Sequence, residues 1–205
     1  MLTNKKVIII GASVTGLSTA IALKQKGFDV SVYERHSSQQ TIGAGIVLWS
    51  NASYILDKLG LLESVKRVSA KPSKMRRFSS NGEALGTLDI EIINKEIGVS
   101  SYAIFRKDFQ EILENKLFEM GVKINYDYKV TNITTLNNKA HVIFENETKL
   151  TADIIVGADG RMASQARKYV LGKNTPSYQS FINWIGVYKS KKKLLLQWIY
   201  WIIGV

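Results

Sequence analysis

The sequence contains no cysteine, only two prolines and only two histidines in 205 residues. Without cysteine there can be no disulfide, no thiolate-held zinc or iron–sulfur cluster and no cysteine nucleophile. Two prolines exclude a proline-rich linker protein. The histidines, His36 and His141, stand 105 residues apart and lack carboxylates at ligand spacing. No metal site and no Ser-His-Asp triad is therefore expected, and His36 reads as a surface residue. The N-terminus runs into an apolar strand without the longer apolar stretch of a secretory signal, so a cytoplasmic location is expected.

Acidic residues are absent after Asp159. The formal charge of +11 is therefore uneven: residues 1–159 carry 20 basic and 17 acidic side chains, and residues 160–205 carry eight basic and none acidic. This is a near-neutral body with a basic last quarter, and a break of that kind marks a boundary or a tail. Nucleic-acid binding is not expected from it. An apolar fraction of 45% in a chain of this length supports a sizeable core and excludes disorder.

What is present reads as strands alternating with helices. Lys6 to Ile10 is a short β-branched apolar run, expected as a buried parallel strand. Leu17 to Lys26 carries a helical stripe closed by Gly27, and Asp29 to Tyr33 alternates as a second strand. Asn51 to Leu62 and Arg106 to Met120 have helical periodicity, the second closed by Gly121. Met75 to Leu88 is expected to form a hairpin around Asn81-Gly82. From Lys123 onward come short strands with turns at Asn137-Asn138 and Asn146-Glu147, an antiparallel meander over roughly 129–150. The last strand, Ala152 to Val156, runs into Gly157-Ala158-Asp159-Gly160. The pattern predicts an α/β fold with a parallel sheet.

Three features bear on chemistry. Gly11-Ala12-Ser13-Val14-Thr15-Gly16 lies between strand and helix, where backbone N–H groups and the helix dipole can meet a pyrophosphate. Ser13 stands where the usual pattern has its middle glycine, and the loop alone is equally compatible with an ordinary turn. Glu34 follows Gly16 by 18 residues at the end of the second strand. A carboxylate there accepts hydrogen bonds from a ribose and repels a 2′-phosphate, which points to FAD or NAD rather than NADP. Asp159-Gly160 follows a strand after the meander, a unit unexpected in a plain NAD dehydrogenase.

As a set these segments resemble the FAD-dependent aromatic-ring hydroxylases related to para-hydroxybenzoate hydroxylase and salicylate hydroxylase. The matching pieces are Val7 to Leu17, Val32-Tyr33-Glu34-Arg35, Gly43-Ala44-Gly45-Ile46 with Asn51, Phe105-Arg106, and Gly157-Ala158-Asp159-Gly160. The resemblance implies an FAD-binding Rossmann-like sheet with an antiparallel meander and the beginning of a β-rich substrate domain. It implies that Gly11, Ser13, Thr15 and Gly16 hold the FAD pyrophosphate, and that Glu34, with Arg35 nearby, holds the adenosine ribose. Gly45 and Ile46 would pass near the flavin. Arg106 would reach the phosphate and ribitol region, the Val130 backbone would meet the adenine, and Asp159 and Gly160 would serve FAD and pyridine nucleotide. The serine expected two residues after that glycine is absent, and Ser164 arrives later.

The same resemblance implies NAD(P)H as reductant and a small aromatic-type substrate, hydroxylated with oxygen activated by the flavin. The expected organisation is an FAD-binding domain over residues 1–180, with a substrate-domain hairpin inserted at about 70–102. Residues 181–205 would hold the start of a substrate-domain strand (Phe181 to Val187) and a basic, apolar tail. Relatives of this kind carry a second flavin motif containing Gly-Asp, and residues 160–205 have no such pair. The chain is therefore expected to be C-terminally truncated, and the alternative reading is an inactive FAD-binding remnant or a half-protein needing a partner chain. The tail from Lys189 to Val205 is expected to be unpacked. It is too short in apolar residues to span a bilayer, though compatible with weak contact at a membrane surface.

Overall fold

The computed structural model describes residues 4–39, 45–172, 177, 178 and 180, together with the backbone of 198–203. Gly43 and Ala44 of the resemblance, and the Phe181–Val187 strand, lie outside the described residues. The chain divides into two units, one of residues 1–41 and 110–184 and one of residues 42–109 and 185–205.

The first unit is built on β1 (Lys6–Ile10), α1 (Val14–Gln25) and β2 (Asp29–Tyr33). Val7, Ile8 and Ile9 are fully buried, as a strand covered on both faces requires. Leu17, Ala20 and Ile21 form the buried stripe of α1, and Gly27 leaves the helix with φ +83°. That crossover makes β1 and β2 parallel neighbours.

The second unit interrupts the first. It contains β3 (Gly45–Leu48), α2 (Ser50–Lys58) and α3 (Leu62–Val68), then β4 (Lys74–Ser79) and β5 (Ala84–Asp89). After these come α4 (Ile90–Ile97) and β6 (Tyr102–Phe105). β3 pairs antiparallel with β6, and β4 with β5. The hairpin turn contains Gly82 at φ +88°, in agreement with the Asn81-Gly82 expectation. The single helix expected over 51–62 is two helices, because the chain turns at Gly60 with φ +70°. Nothing was expected over α4. Its ends carry ordinary signals: the Asp89 carboxylate accepts the Glu91 N–H at 3.0 Å, and Gly98 closes it with φ +79°.

The tail expectation needs correction. Trp198–Ile203 forms β12, parallel to β4 from Trp198 opposite Lys74 to Ile203 opposite Ser79. A run of Trp, Ile and Tyr has high strand propensity, and β4, paired on one side only by β5, offers it an open edge. The sheet order is β12-β4-β5.

α5 (Arg106–Glu119) returns the chain to the first unit, which continues with β7 (Ile124–Asn125), β8 (Val130–Leu136), β9 (Lys139–Phe144), β10 (Lys149–Ala152), β11 (Ile154–Gly157) and α6 (Gln165–Leu171). The strand expected as one piece from Ala152 is two. β10 completes the antiparallel β10-β9-β8 meander, and β11 joins the parallel sheet beside β1, giving the order β11-β1-β2-β7. Asn137 and Asn138 both take positive φ, 51° and 57°, as a tight two-residue hairpin demands.

Ile8 and Ile10 of β1 pack with Val130, Ile133, Val142, Phe144 and Ala152, so the meander lies on one face of the parallel sheet. By strand alternation Val7 and Ile9 serve the opposite face. At the seam Phe144, Tyr33 and Tyr128 meet with ring centroids 5.1–5.2 Å apart. Phe144 is the fully buried member of this trio. Replacing it by alanine should cost about 3–5 kcal/mol of stability, read as a lowered urea midpoint; an unchanged midpoint would show that this seam does not support the fold.

Candidate functional site

The carboxyl end of β1 is where the sequence placed its loop, and three segments converge there. Gly11 has φ +104°, and its N–H donates to the Tyr33 carbonyl at 2.7 Å. A Cβ on Gly11 would lie 2.2 Å from the Ala158 carbonyl oxygen, and one on Gly16 would lie 1.9 Å from the Gly11 carbonyl oxygen. Both glycines are thus demanded by close backbone approach. Ser13 is the N-cap of α1, with extended backbone and no capping hydrogen bond from its side chain, and the first turn of α1 holds no acid. The helix therefore presents its positive end and first-turn N–H groups without a carboxylate to neutralise them. Thr15 is exposed in that turn, and its carbonyl accepts the Thr19 hydroxyl at 2.8 Å.

Glu34 is held against this loop. One carboxylate oxygen accepts the Ala12 N–H at 2.8 Å; the other accepts the His36 N–H at 3.0 Å and lies 2.6 Å from His36 Nδ1. Burial alone would raise the Glu34 pKa, but the Ala12 and His36 hydrogen bonds outweigh it and hold the carboxyl below its usual value. His36, expected at the surface, is half-exposed and is in addition a polar partner of Glu34. Arg35 beside it is exposed.

Asp159 and Gly160 lie at the end of β11, next to the same loop through the Gly11–Ala158 approach. The Asp159 carboxylate accepts the Ser164 hydroxyl at 2.5 Å and the N–H groups of Gln165 and Ala166 at 2.6 and 3.2 Å. Ser164 in turn caps α6 by accepting the Arg167 N–H at 2.9 Å. Gly160 has φ +89°, and the Arg167 guanidinium reaches the carbonyls of Arg161 at 3.1 Å and Gly160 at 3.5 Å. The later serine thus still reaches the aspartate, and the unit fastens α6 to the end of β11. Gly157 permits that packing, because a Cβ there would lie 2.1 Å from the Ala166 Cβ.

Val130 opens β8, with its side chain in the core beneath Tyr33 and Tyr128. The remaining expected residues share the second unit. Gly45 pairs with Phe105 and Ile46 with Ile104, which places both beside the strand leading directly into Arg106 at the start of α5.

Gln110 was not anticipated. It is 5% exposed, and its side-chain amide donates to the Ala12 carbonyl at 3.1 Å and to Glu114 at 3.2 Å. Tyr126 reaches the same Glu114 oxygen at 3.4 Å. Burial raises the Glu114 pKa despite these hydrogen bonds, and Tyr126 is pushed up to about 12 by burial and then by the Glu114 charge. A glutamine one residue beyond the apolar Phe109 of a helix carries no sequence mark that distinguishes it from a surface residue.

A parallel β-α-β unit with this glycine loop and this acid defines a nucleotide-binding fold, and comparison with known proteins resolves it further. The FAD binding domain family matches residues 4–202, so the chain belongs to that family. It is 33% identical over 187 residues to the FAD-dependent urate hydroxylase of Mycolicibacterium vanbaalenii, covering 89% of this chain and 46% of that protein. It is 28% identical over 184 residues to the 6-hydroxynicotinate 3-monooxygenase of Pseudomonas fluorescens, covering 89% and 47%. Among solved structures it resembles Klebsiella pneumoniae HpxO complexed with FAD and uric acid, with a TM-score of 0.71 and 26% identity over 84% of this chain and 43% of that one. It also resembles 2-methyl-3-hydroxypyridine-5-carboxylic acid oxygenase, with a TM-score of 0.71 and 28% identity over 82% and 43%. The chain thus spans a little under half the length of these relatives. The chain is an FAD-binding one, and the loop's close-packed glycines and uncapped helix end suit a pyrophosphate.

Two outcomes follow from this geometry. Charged Glu34 stabilises the fold in full above its unfolded value of 4.5, and that contribution is lost as pH falls through the lower folded value. Stability measured from pH 7 down to pH 3 should therefore fall less steeply in Glu34→Gln than in the wild type; parallel curves would show that Glu34 carries no such linkage. Gly16→Ala forces a methyl onto the Gly11 carbonyl and should cost about 1–3 kcal/mol, seen as a lower melting temperature; an unchanged one would contradict the close approach.

Proposed function

We propose that this chain is the FAD-binding portion of an FAD-dependent monooxygenase that hydroxylates a small aromatic or heteroaromatic ring, with NAD(P)H as reductant. The observation that carries the reading is the convergence of Glu34 and the Gly11–Gly16 loop on one peptide, with an uncapped helix N-terminus alongside. Gly11, Ser13, Thr15 and Gly16 hold the pyrophosphate through backbone N–H groups. Glu34 has acceptor capacity left after binding Ala12 and His36, and takes the adenosine ribose, with Arg35 at its solvent side. The Val130 backbone borders the adenine. Gly45, Ile46 and Arg106 serve the ribitol and flavin end, and Asp159 and Gly160 shape the turn beside the pyrophosphate. The Rossmann-like core, residues 1–180, is the FAD-binding domain, and the 70–102 segment belongs to the substrate domain.

When bound, FAD supplies the redox chemistry and the oxygen activation; the protein binds, orients and shields it. The named substrates of the relatives are urate and 6-hydroxynicotinate, both oxygen-bearing nitrogen heterocycles, and a ring of that class is the proposed substrate here. The second reading is an FAD-binding chain without turnover, or one that needs a partner chain; the chain spans 46% of the urate hydroxylase's length. Urate-stimulated or 6-hydroxynicotinate-stimulated NADH oxidation by the FAD-loaded chain separates the two: substrate-coupled oxidation supports the first reading, and its absence with FAD bound supports the second.

The cofactor assignment has its own test. Flavin fluorescence titration should show FAD bound in preference to FMN, since the adenosine side supplies the contacts named above, and Glu34→Ala should weaken FAD by about 1.5–3 kcal/mol. Equal FAD and FMN affinities would overturn the assignment.

A further inference from the structure

The Ala12 backbone is held from both sides. Its N–H donates to Glu34 at 2.8 Å, and its carbonyl accepts from the buried amide of Gln110 at 3.1 Å. Ala12 itself is 3% exposed, so neither group exchanges these partners for bulk water. A trans peptide is planar, and its C=O and N–H point in opposite directions. Two orientations are fixed as a consequence. With the Ala12 N–H turned to Glu34, the Gly11 carbonyl must point the other way, and it does: it occupies the space a Cβ on Gly16 would need, 1.9 Å away. With the Ala12 carbonyl turned to Gln110, the Ser13 N–H must point away from α5. Ser13 is the N-cap residue, and its peptide directly precedes the first turn of α1, whose helix begins at Val14.

Gln110 is itself held in place. The nitrogen that reaches Ala12 also donates to Glu114 one turn along α5, at 3.2 Å, and Glu114 is approached from β7's exit by the Tyr126 hydroxyl at 3.4 Å. An amide whose two N–H groups both have acceptors has no reason to rotate. The pairing joins residues 98 positions apart, so it depends on the first unit being folded and not on local sequence.

We propose that Gln110 is a positioning residue for the cofactor's pyrophosphate: by pinning the Ala12 carbonyl it aims the Ser13 N–H, the donor at the position where the usual loop has its middle glycine. This rests on the reading that the Gly11–Gly16 loop holds the FAD pyrophosphate. The substitution of glycine by serine at position 13 gives the clamp its purpose. A serine backbone has less freedom than glycine to adapt to an anion, so its peptide must already be turned toward the anion when the ligand arrives.

The test uses the full 205-residue chain with three ligands: FAD, ADP and adenosine, the last lacking phosphate. Gln110→Met keeps length and volume but removes both donors. It should weaken FAD and ADP by about tenfold, the loss of one aligned charge-assisted donor, while adenosine affinity stays within about twofold. Gln110→His, which retains a ring N–H donor, should recover part of the loss. Equal loss for all three ligands would make Gln110 a merely structural residue and overturn the proposal, as would no loss at all. In the wild-type chain, amide NMR should show the Ser13 N–H shifting on addition of ADP and not of adenosine. That measurement stands even where Gln110→Met fails to fold, and a Ser13 amide indifferent to ADP overturns the proposal. Failure of the wild type to bind either FAD or ADP would instead strike the underlying loop assignment, a distinguishable result.

Discussion

Where β1 ends, the backbone of Gly11 passes so close to Ala158 that no side chain fits between them. The order of the sheet depends on that approach. Ile10 accepts the Ala158 N–H at 2.7 Å while Gly11 donates to Tyr33 at 2.7 Å, so the ends of β11, β1 and β2 are tied into one line of hydrogen bonds. The loop, the acid after β2 and the Asp-Gly turn after β11 are thereby brought to one place, although they come from residues 11, 34 and 159. Strand ends that share a sheet edge form the usual ligand crevice of an open α/β sheet, for this reason.

Around that junction, carboxylates face inward to the chain and donors face outward. Glu34 accepts the Ala12 and His36 N–H groups, Asp159 accepts N–H groups of the first turn of α6, and the first turn of α1 holds no acid. Each carboxylate satisfies backbone donors that burial would otherwise leave unpaired. What is left facing the ligand side is the positive end of α1. A helix end of this kind, with no acid in its first turn, suits an anion.

Much of this was legible beforehand because it is written in local patterns. The runs Val7–Ile10 and Asp29–Tyr33, the glycines at 11 and 16, the paired asparagines at 137 and 138 and the helix closed by Gly121 each declare their conformation through sterics or periodicity. Other elements misled for equally physical reasons. Ala152 to Val156 reads as one apolar run, yet the chain changes sheets within it, since hydropathy does not distinguish an antiparallel partner from a parallel one. Trp198–Ile203 looked like a tail without a surface to bury it because the open edge of β4 is invisible until the hairpin is folded.

The amino-acid sequence by itself determined the class of fold, the glycine loop, the acid that follows the second strand and the FAD-binding family, since each is carried by short local segments and by their order and spacing along the chain. Only the tertiary structure decided what those residues do to each other. That Glu34 grips Ala12, 22 positions away, and that Gln110 holds the Ala12 carbonyl, 98 positions away, depends on groups brought together by folding; that His36 shares the Glu34 carboxylate and that Asp159 caps α6 are short-range bonds whose geometry the chain's local turns decide. Hydrogen bonds are directional and short in range, so they leave no periodic trace in a sequence.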